Sequence, residues 1–189
     1  MLNIALFGPP GSGKGTQSKY LIEKYSLAYI STGDLLRAEL AAGSDLGKQV
    51  KAVMDAGNLV SDELIVQILE KKIKSLENVK GILFDGFPRN LVQAYILTGL
   101  FSKLNTELTC MISLEVSEDE LMGRMLKRAE IEGRSDDNPE TIRNRFKQYR
   151  EKTQPVEGFY EEIGKCRKVN GLGTIDEIFD RICEVIDRK

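Results

Sequence analysis

With 189 residues the chain can build one substantial hydrophobic core but not two ordinary domains, so a single domain spanning residues 1–189 is expected. Lys and Arg total 27 against 29 Asp and Glu, which excludes the broad basic field that nucleic-acid binding needs, so any positive site has to be assembled locally. The absence of histidine excludes His-dependent triads and His-ligated metal centres.

No stretch approaches the roughly 18 consecutive apolar residues of a membrane span, and the first residues lack a basic segment followed by an apolar one. A cytoplasmic protein without a membrane partner is expected. Cys110, Cys166 and Cys183 are odd in number and widely spaced, and two of them sit in apolar segments. They read as reduced core thiols rather than metal or redox groups.

Residues 2–7 form a short apolar run bounded by glycine, which reads as a buried strand. Gly8-Pro9-Pro10-Gly11-Ser12-Gly13-Lys14-Gly15-Thr16 follows, and a helix pattern begins at Gln17, Tyr20 and Leu21. Strand, glycine-rich loop, lysine and helix in that order make a phosphate-binding P-loop. Most P-loops place Ser or Thr directly after the lysine to contact magnesium; here that position is Gly15, and Thr16 comes about 100° further round the helix.

Residues 27–30 are a second strand, running into Ser31-Thr32-Gly33-Asp34-Leu35-Leu36-Arg37, where Ser31 or Thr32 caps a helix that Gly43 ends. A further helix carries Leu46, Val50, Val53 and Met54 and stops at Gly57. These two short helices look like a small insertion able to move. Ser61 opens the next helix, with Asp62 and Glu63 in its first turn and Lys71, Lys72 and Lys74 in its last, as the helix dipole favours.

Residues 81–85 are a third strand, ending on Asp85 where open α/β sheets bind ligands. A helix from about Asn90 to Ser102 leads to a fourth strand at 108–114. Ser117 and Glu120 have the spacing of a capping box for the helix that carries Arg124 and Arg128. Like charges four residues apart cost a few tenths of a kcal/mol in an isolated helix, so an anion facing the pair would turn that cost into a gain.

A polar loop then holds Arg134, before Asn138 and Pro139 start a helix with Arg145 beside its apolar stripe. Pro155 interrupts or kinks that helix. A fifth strand at 165–169, a turn at Asn170-Gly171-Leu172-Gly173 and a second capping box at Thr174 and Glu177 lead to the closing amphipathic helix. Five short strands alternating with helices give a three-layer α/β/α sandwich around a five-stranded parallel sheet, with right-handed crossovers.

Lys14, Arg37, Arg89, Arg124, Arg128, Arg134 and Arg145 fall at C-terminal strand ends or on loops able to fold over them, more cations than one triphosphate needs. The excess points to a second phosphorylated ligand facing the first. A phosphate monoester acceptor is already anionic near neutral pH, so transfer to it needs alignment and charge neutralisation rather than a histidine base.

The P-loop run through Gln17, the Ser31-to-Arg37 run, Asp85-Gly86-Phe87-Pro88-Arg89 and Gly133-Arg134-Ser135-Asp136-Asp137-Asn138 closely resemble the motifs of adenylate kinases, over essentially the whole chain. In that family Gly normally follows the P-loop lysine. The resemblance implies reversible transfer of the γ-phosphoryl group of MgATP to AMP, giving two ADP. It implies that Gly11, Ser12, Gly13, Lys14, Gly15 and Thr16 hold the ATP phosphates, that Arg124 and Arg128 clamp the transferring group, and that the backbone at Gly173 lies near the ATP adenine. Thr32, Arg37, Asn58, Leu59, Val60, Gly86, Phe87, Pro88, Arg89 and Gln93 resemble the AMP site, with Arg134 and Arg145 bridging from the lid.

Asp85 resembles the acid that orients water bound to Mg2+, with Asp34 as a possible helper through water. The mobile pieces implied are an NMP-binding insertion at 31–60 and a short lid at 127–137. No cysteine falls in that lid, so no structural zinc is expected, and nothing suggests more than a monomer. Asn90 after Arg89 and the Gly133-to-Asn138 run both lean toward a related UMP/CMP kinase, whereas Thr32 and Gln93 favour AMP, because a Gln amide can pair with an adenine edge. A regulatory module that binds a nucleotide without turnover is the alternative from another class, and it would not need so many convergent cations.

Overall fold

The computed structural model describes residues 1–134 and 137–188, so Ser135 and Asp136 of the Gly-Arg-Ser-Asp-Asp-Asn run lie outside the described residues. In chain order the elements are β1 (Leu2–Phe7), α1 (Lys14–Tyr25), β2 (Ala28–Ser31), α2 (Thr32–Ala41), α3 (Asp45–Asp55), α4 (Asp62–Lys74), β3 (Gly81–Asp85), α5 (Leu91–Lys103), β4 (Cys110–Glu115), α6 (Glu118–Glu132) and α7 (Pro139–Gln148). A π turn at Tyr149–Thr153, α8 (Pro155–Glu162), β5 (Cys166–Asn170) and α9 (Ile175–Asp187) complete them. The strands form one parallel sheet in the order β2-β3-β1-β4-β5. The expected fold class is the observed one, with strand limits shifted by a residue or two.

Alternation along the strands splits the core into two layers. Ala5, Phe7, Ile82, Phe84 and Met111 face α4, α5 and α8, while Ile4, Leu6, Leu83, Ile112 and Leu114 face α1 and α9. A smaller cluster of Leu121, Met125, Ile142 and Phe146 joins α6 to α7. Because β1 sits between β3 and β4, the chain leaves the sheet in opposite directions on its two sides, and a crevice opens at the strands' C-terminal ends.

Local signals set most helix ends. Ser31, Ser44, Asn90, Asn138 and Thr174 each accept a bond from the backbone N–H three residues on, and Thr174 with Glu177 makes the expected capping box. Ser117 does not: its side chain caps nothing, and Glu120 instead takes the Nε–H of Arg124 at 2.8 Å. A guanidinium one turn away competes better for that carboxylate than a backbone amide does. Ser61 likewise makes no side-chain cap.

Pro155 leads the chain through a wide turn rather than a sharp break. The Gln154 N–H bonds back five residues to the Tyr149 carbonyl at 2.8 Å, and α8 resumes with the proline in its first turn, where no N–H is needed.

Asn3 lies inside the apolar run of β1 yet is a fully buried polar residue. Its Oδ1 accepts from the Ile82 N–H at 3.2 Å, and its Nδ2 donates to Thr106 Oγ1 at 3.0 Å and to the Glu107 carbonyl at 2.8 Å. One side chain therefore ties β1 to β3 and to the approach to β4. Asn3→Leu keeps the branched shape but strands these partners, so it should lower stability by about 3 kcal/mol and Tm by roughly 6–12 °C, measured by thermal unfolding followed by circular dichroism.

Candidate active site

All of the sequence-predicted site residues line one cleft of about 1210 Å³ at the C-terminal edge of the sheet. Ordinary small-molecule sites span about 300–1,000 Å³, so this one has room for more than a single ligand.

The floor is the P-loop. α1 begins at Lys14 with no side-chain cap, which leaves first-turn N–H groups and the positive end of the helix dipole for an anion. Gly11 has φ 84°, and a Cβ on it would stand 2.8 Å from Met125 Cγ, so only glycine lets the loop seat against α6. That contact sets the distance from the loop to Arg124 and Arg128. Lys14 Nζ donates to the carbonyls of Gly8 at 2.8 Å and Pro9 at 3.0 Å.

A Cβ on Gly15 would lie 3.8 Å from Asp85 Oδ2. The carboxylate at the end of β3 thus faces the position where other P-loops carry their hydroxyl. Tyr29, on β2, donates its phenol to that same Oδ2 at 3.1 Å and orients it.

The arginines are held by carboxylates and carbonyls. Arg128 grips Asp137 through Nε to Oδ2 at 2.6 Å and Nη2 to Oδ1 at 2.8 Å, and Arg145 Nη1 shares Oδ1 of the same buried carboxylate at 2.7 Å. Arg124 holds Glu120 and the Gly171 carbonyl, and Arg134 holds Glu132 at 2.6 Å. Arg37 binds Asp34 at 2.5 Å. Burial raises the Asp34 carboxyl, but Arg37 outweighs it and keeps the group below its ordinary value.

On the far side, Thr32 Oγ1 donates to the Gly86 carbonyl at 2.8 Å, and Arg89 Nε donates to the same oxygen at 2.7 Å. Gly86, at φ 76°, leaves no room for a Cβ, which would meet Arg89 Nη2 at 2.7 Å. Gln93 uses part of its amide internally: Oε1 accepts from the Arg89 N–H and Nε2 donates to Asp62 Oδ1, both at 2.7 Å. One N–H and one lone pair remain for a base edge. The end of the 31–60 insertion is fastened to α7 through Thr141 Oγ1 to the Asp55 carbonyl and Asn144 Nδ2 to the Ala56 carbonyl.

A family model described as "Adenylate kinase" matches residues 6–165. The chain belongs to the adenylate kinase family. It is 48% identical over 188 residues to an adenylate kinase of Bacteroides thetaiotaomicron, covering all of both chains. It is 47% identical over 187 residues to one of Bacteroides fragilis, 99% of each, and 48% identical over 185 residues to one of Stenotrophomonas maltophilia, 98% of this chain and 99% of that one.

The cleft also shows what motifs did not supply. Tyr29 reaches Asp85 from the second position of β2, a place without a motif. Gln148, Tyr149 and Thr153 reach the cleft from the π turn and its approach, and Thr153 Oγ1 donates to the Arg89 carbonyl at 2.8 Å. Asp137 was visible only as part of the lid run, and its two arginine partners come from other turns of the chain.

Burial pushes the half-buried Lys14 ammonium down from 10.5 to about 8; Asp85 opposes the shift, and Arg89, Arg145 and Arg128 add to it. In the free protein the charge is therefore half lost near pH 8, and a phosphate against Nζ restores it. Nucleotide binding should take up a proton between about pH 8 and 10, close to one at pH 9 and almost none at pH 6.5, with affinity falling as pH rises through this window. Calorimetric titration with ATP in two buffers of different ionisation heat measures the uptake. The same shift works oppositely on folding: between 8 and 10.5 the unfolded chain holds the extra proton, so Lys14 adds stability to the ligand-free protein as pH rises.

Proposed function

We propose that the cleft transfers the γ-phosphoryl group of MgATP to AMP, reversibly, giving two ADP. The donor lies on the P-loop side with its base toward Gly173, and the acceptor lies against Thr32, residues 58–60, 86–89 and Gln93. The observation that carries this reading is convergence: Lys14, Arg37, Arg89, Arg124, Arg128, Arg134 and Arg145 all line one cleft of about 1210 Å³. One triphosphate would leave much of that charge without an anion.

The chemistry follows from the charges. The acceptor oxygen is anionic without help, so no base is required. Arg124, Arg128, Arg134 and Arg145 exchange their carboxylate partners for phosphate oxygens, which take guanidinium forks two at a time. They align donor and acceptor and neutralise charge on the group in flight. Residues 31–60 and 127–137 close over the two ligands and exclude water that would otherwise take the phosphoryl group.

Asp85, with Asp34 close by, would hold Mg2+ through water, and the ion supplies charge neutralisation to the phosphate chain. The fit rests on Asp85 Oδ2 facing the open space at Gly15. Supporting a lid without structural zinc, Cys110, Cys166 and Cys183 sit on β4, β5 and α9, outside residues 127–137. Burial pushes the Cys110 and Cys166 thiols up to about 11, away from thiolate chemistry. No helix among the described residues is long and apolar enough to cross a membrane. A cytoplasmic monomer completes the proposal.

ADP should form rapidly from MgATP with AMP and at least about 100-fold more slowly with UMP or CMP, in a coupled assay for ADP; a rate with a pyrimidine nucleotide equal to or above that with AMP overturns the assignment. Arg89→Ala should lower kcat/KM by about 10²–10³-fold with Tm nearly unchanged, while a nucleotide-binding module without turnover would show no such activity to lose.

A further inference from the structure

The first turn of α1, beside the phosphate loop, and the start of α9 are far apart in sequence, yet one side chain joins them. Gln17, in the first turn of α1, is 2% exposed, and its Nε2 donates to the Ile175 carbonyl at 2.9 Å. Its Oε1 is buried and has no partner among the described residues. An unpaired buried amide oxygen is unfavourable, and an apolar side chain of the same length would avoid it. Stability alone therefore does not account for an amide at this position; its N–H does.

The Ile175 carbonyl belongs to a segment already rigid in itself. The capping box of Thr174 and Glu177 fixes one end, and Arg181 Nη1 holds the carbonyls of Asn170 at 2.6 Å and Leu172 at 2.7 Å. Those bonds anchor the segment to α9, not to the P-loop. Leu21 packs with Ile178 and Ile182 between the same two helices, but apolar packing is non-directional and tolerates sliding. The Gln17 bond is directional, and it lies one residue after the phosphate-binding run.

We infer that Gln17 is a positioning residue that sets the spacing between the phosphate cradle and the shelf for the donor's base at Gly173. This rests on the proposed placement of the donor nucleotide. Gln17 then acts on ATP through the base and leaves the phosphates alone.

The test compares MgATP with magnesium tripolyphosphate, which has the phosphates and no base, in the wild type and in Gln17→Met. Met fills the space and removes both the donor and the orphaned oxygen. ATP should bind about tenfold more weakly, the order expected for one lost hydrogen bond, with tripolyphosphate within about twofold of wild type. KM for ATP should rise while KM for AMP and kcat at saturating ATP stay within about twofold. Equal weakening of both ligands would mean that the amide only supports the phosphate loop, and unchanged ATP binding would mean that it supports neither; each overturns the inference. If Gln17→Met does not fold, Gln17→Asn, an amide too short to reach Ile175, must give the same split. The parent reading is judged on the wild type alone: if tripolyphosphate binds as tightly as ATP, no base is held at Gly173, and reading and inference fail together.

Discussion

Six guanidinium groups and the Lys14 ammonium share one cleft, and such a concentration of like charge has to be held in place before a ligand arrives. The protein meets this constraint with oxygen atoms of its own. Lys14 folds onto two loop carbonyls, Asp137 takes Arg128 and Arg145 together, and Asp34, Glu120 and Glu132 take Arg37, Arg124 and Arg134. On the proposed reading, each carboxylate occupies a place that a phosphate oxygen would take. Ligand binding is then an exchange of partners rather than the burial of bare charge, which keeps its cost low in either direction and suits a reversible reaction.

The sheet makes that exchange local. With β1 flanked by β3 and β4, the P-loop, Asp85 and the α6 arginines arise at adjacent strand ends. The strand ends carry the P-loop and Asp85, whereas residues 31–60 join the core through Leu36, Val50 and Val60 and reach α7 through hydrogen bonds at Asp55, Ala56 and Asn58.

Much of this was legible because the relevant signals are short in range. Caps at Ser31, Asn90, Asn138 and Thr174, glycine stops at Gly43 and Gly57 and alternation within the strands each depend on a few neighbouring residues. Where partners lie far apart in sequence, the reading lost power. Asn3 looked like one more residue of an apolar run because Thr106, Glu107 and Ile82 are distant. Glu120 had the spacing for a capping box and went to Arg124 instead, a competition that spacing does not rank. Gln93 was read for its free amide, and the structure shows half of it committed to Arg89 and Asp62.

The wide turn at Tyr149–Thr153 has a bearing on how this chain tolerates change in length. It accommodates one residue more than an α-helical turn would, and one residue is about 100° of rotation. Deleting a single residue there would let the helix run straight into Pro155, but would swing α8 round its own axis and carry Val156 and Tyr160 out of the core. It would also pull Thr153 away from the Arg89 carbonyl. The surplus residue therefore works as a phase adjuster between the helix that carries Arg145 and the one that packs on the sheet, and at this point the chain's length is constrained as tightly as its composition.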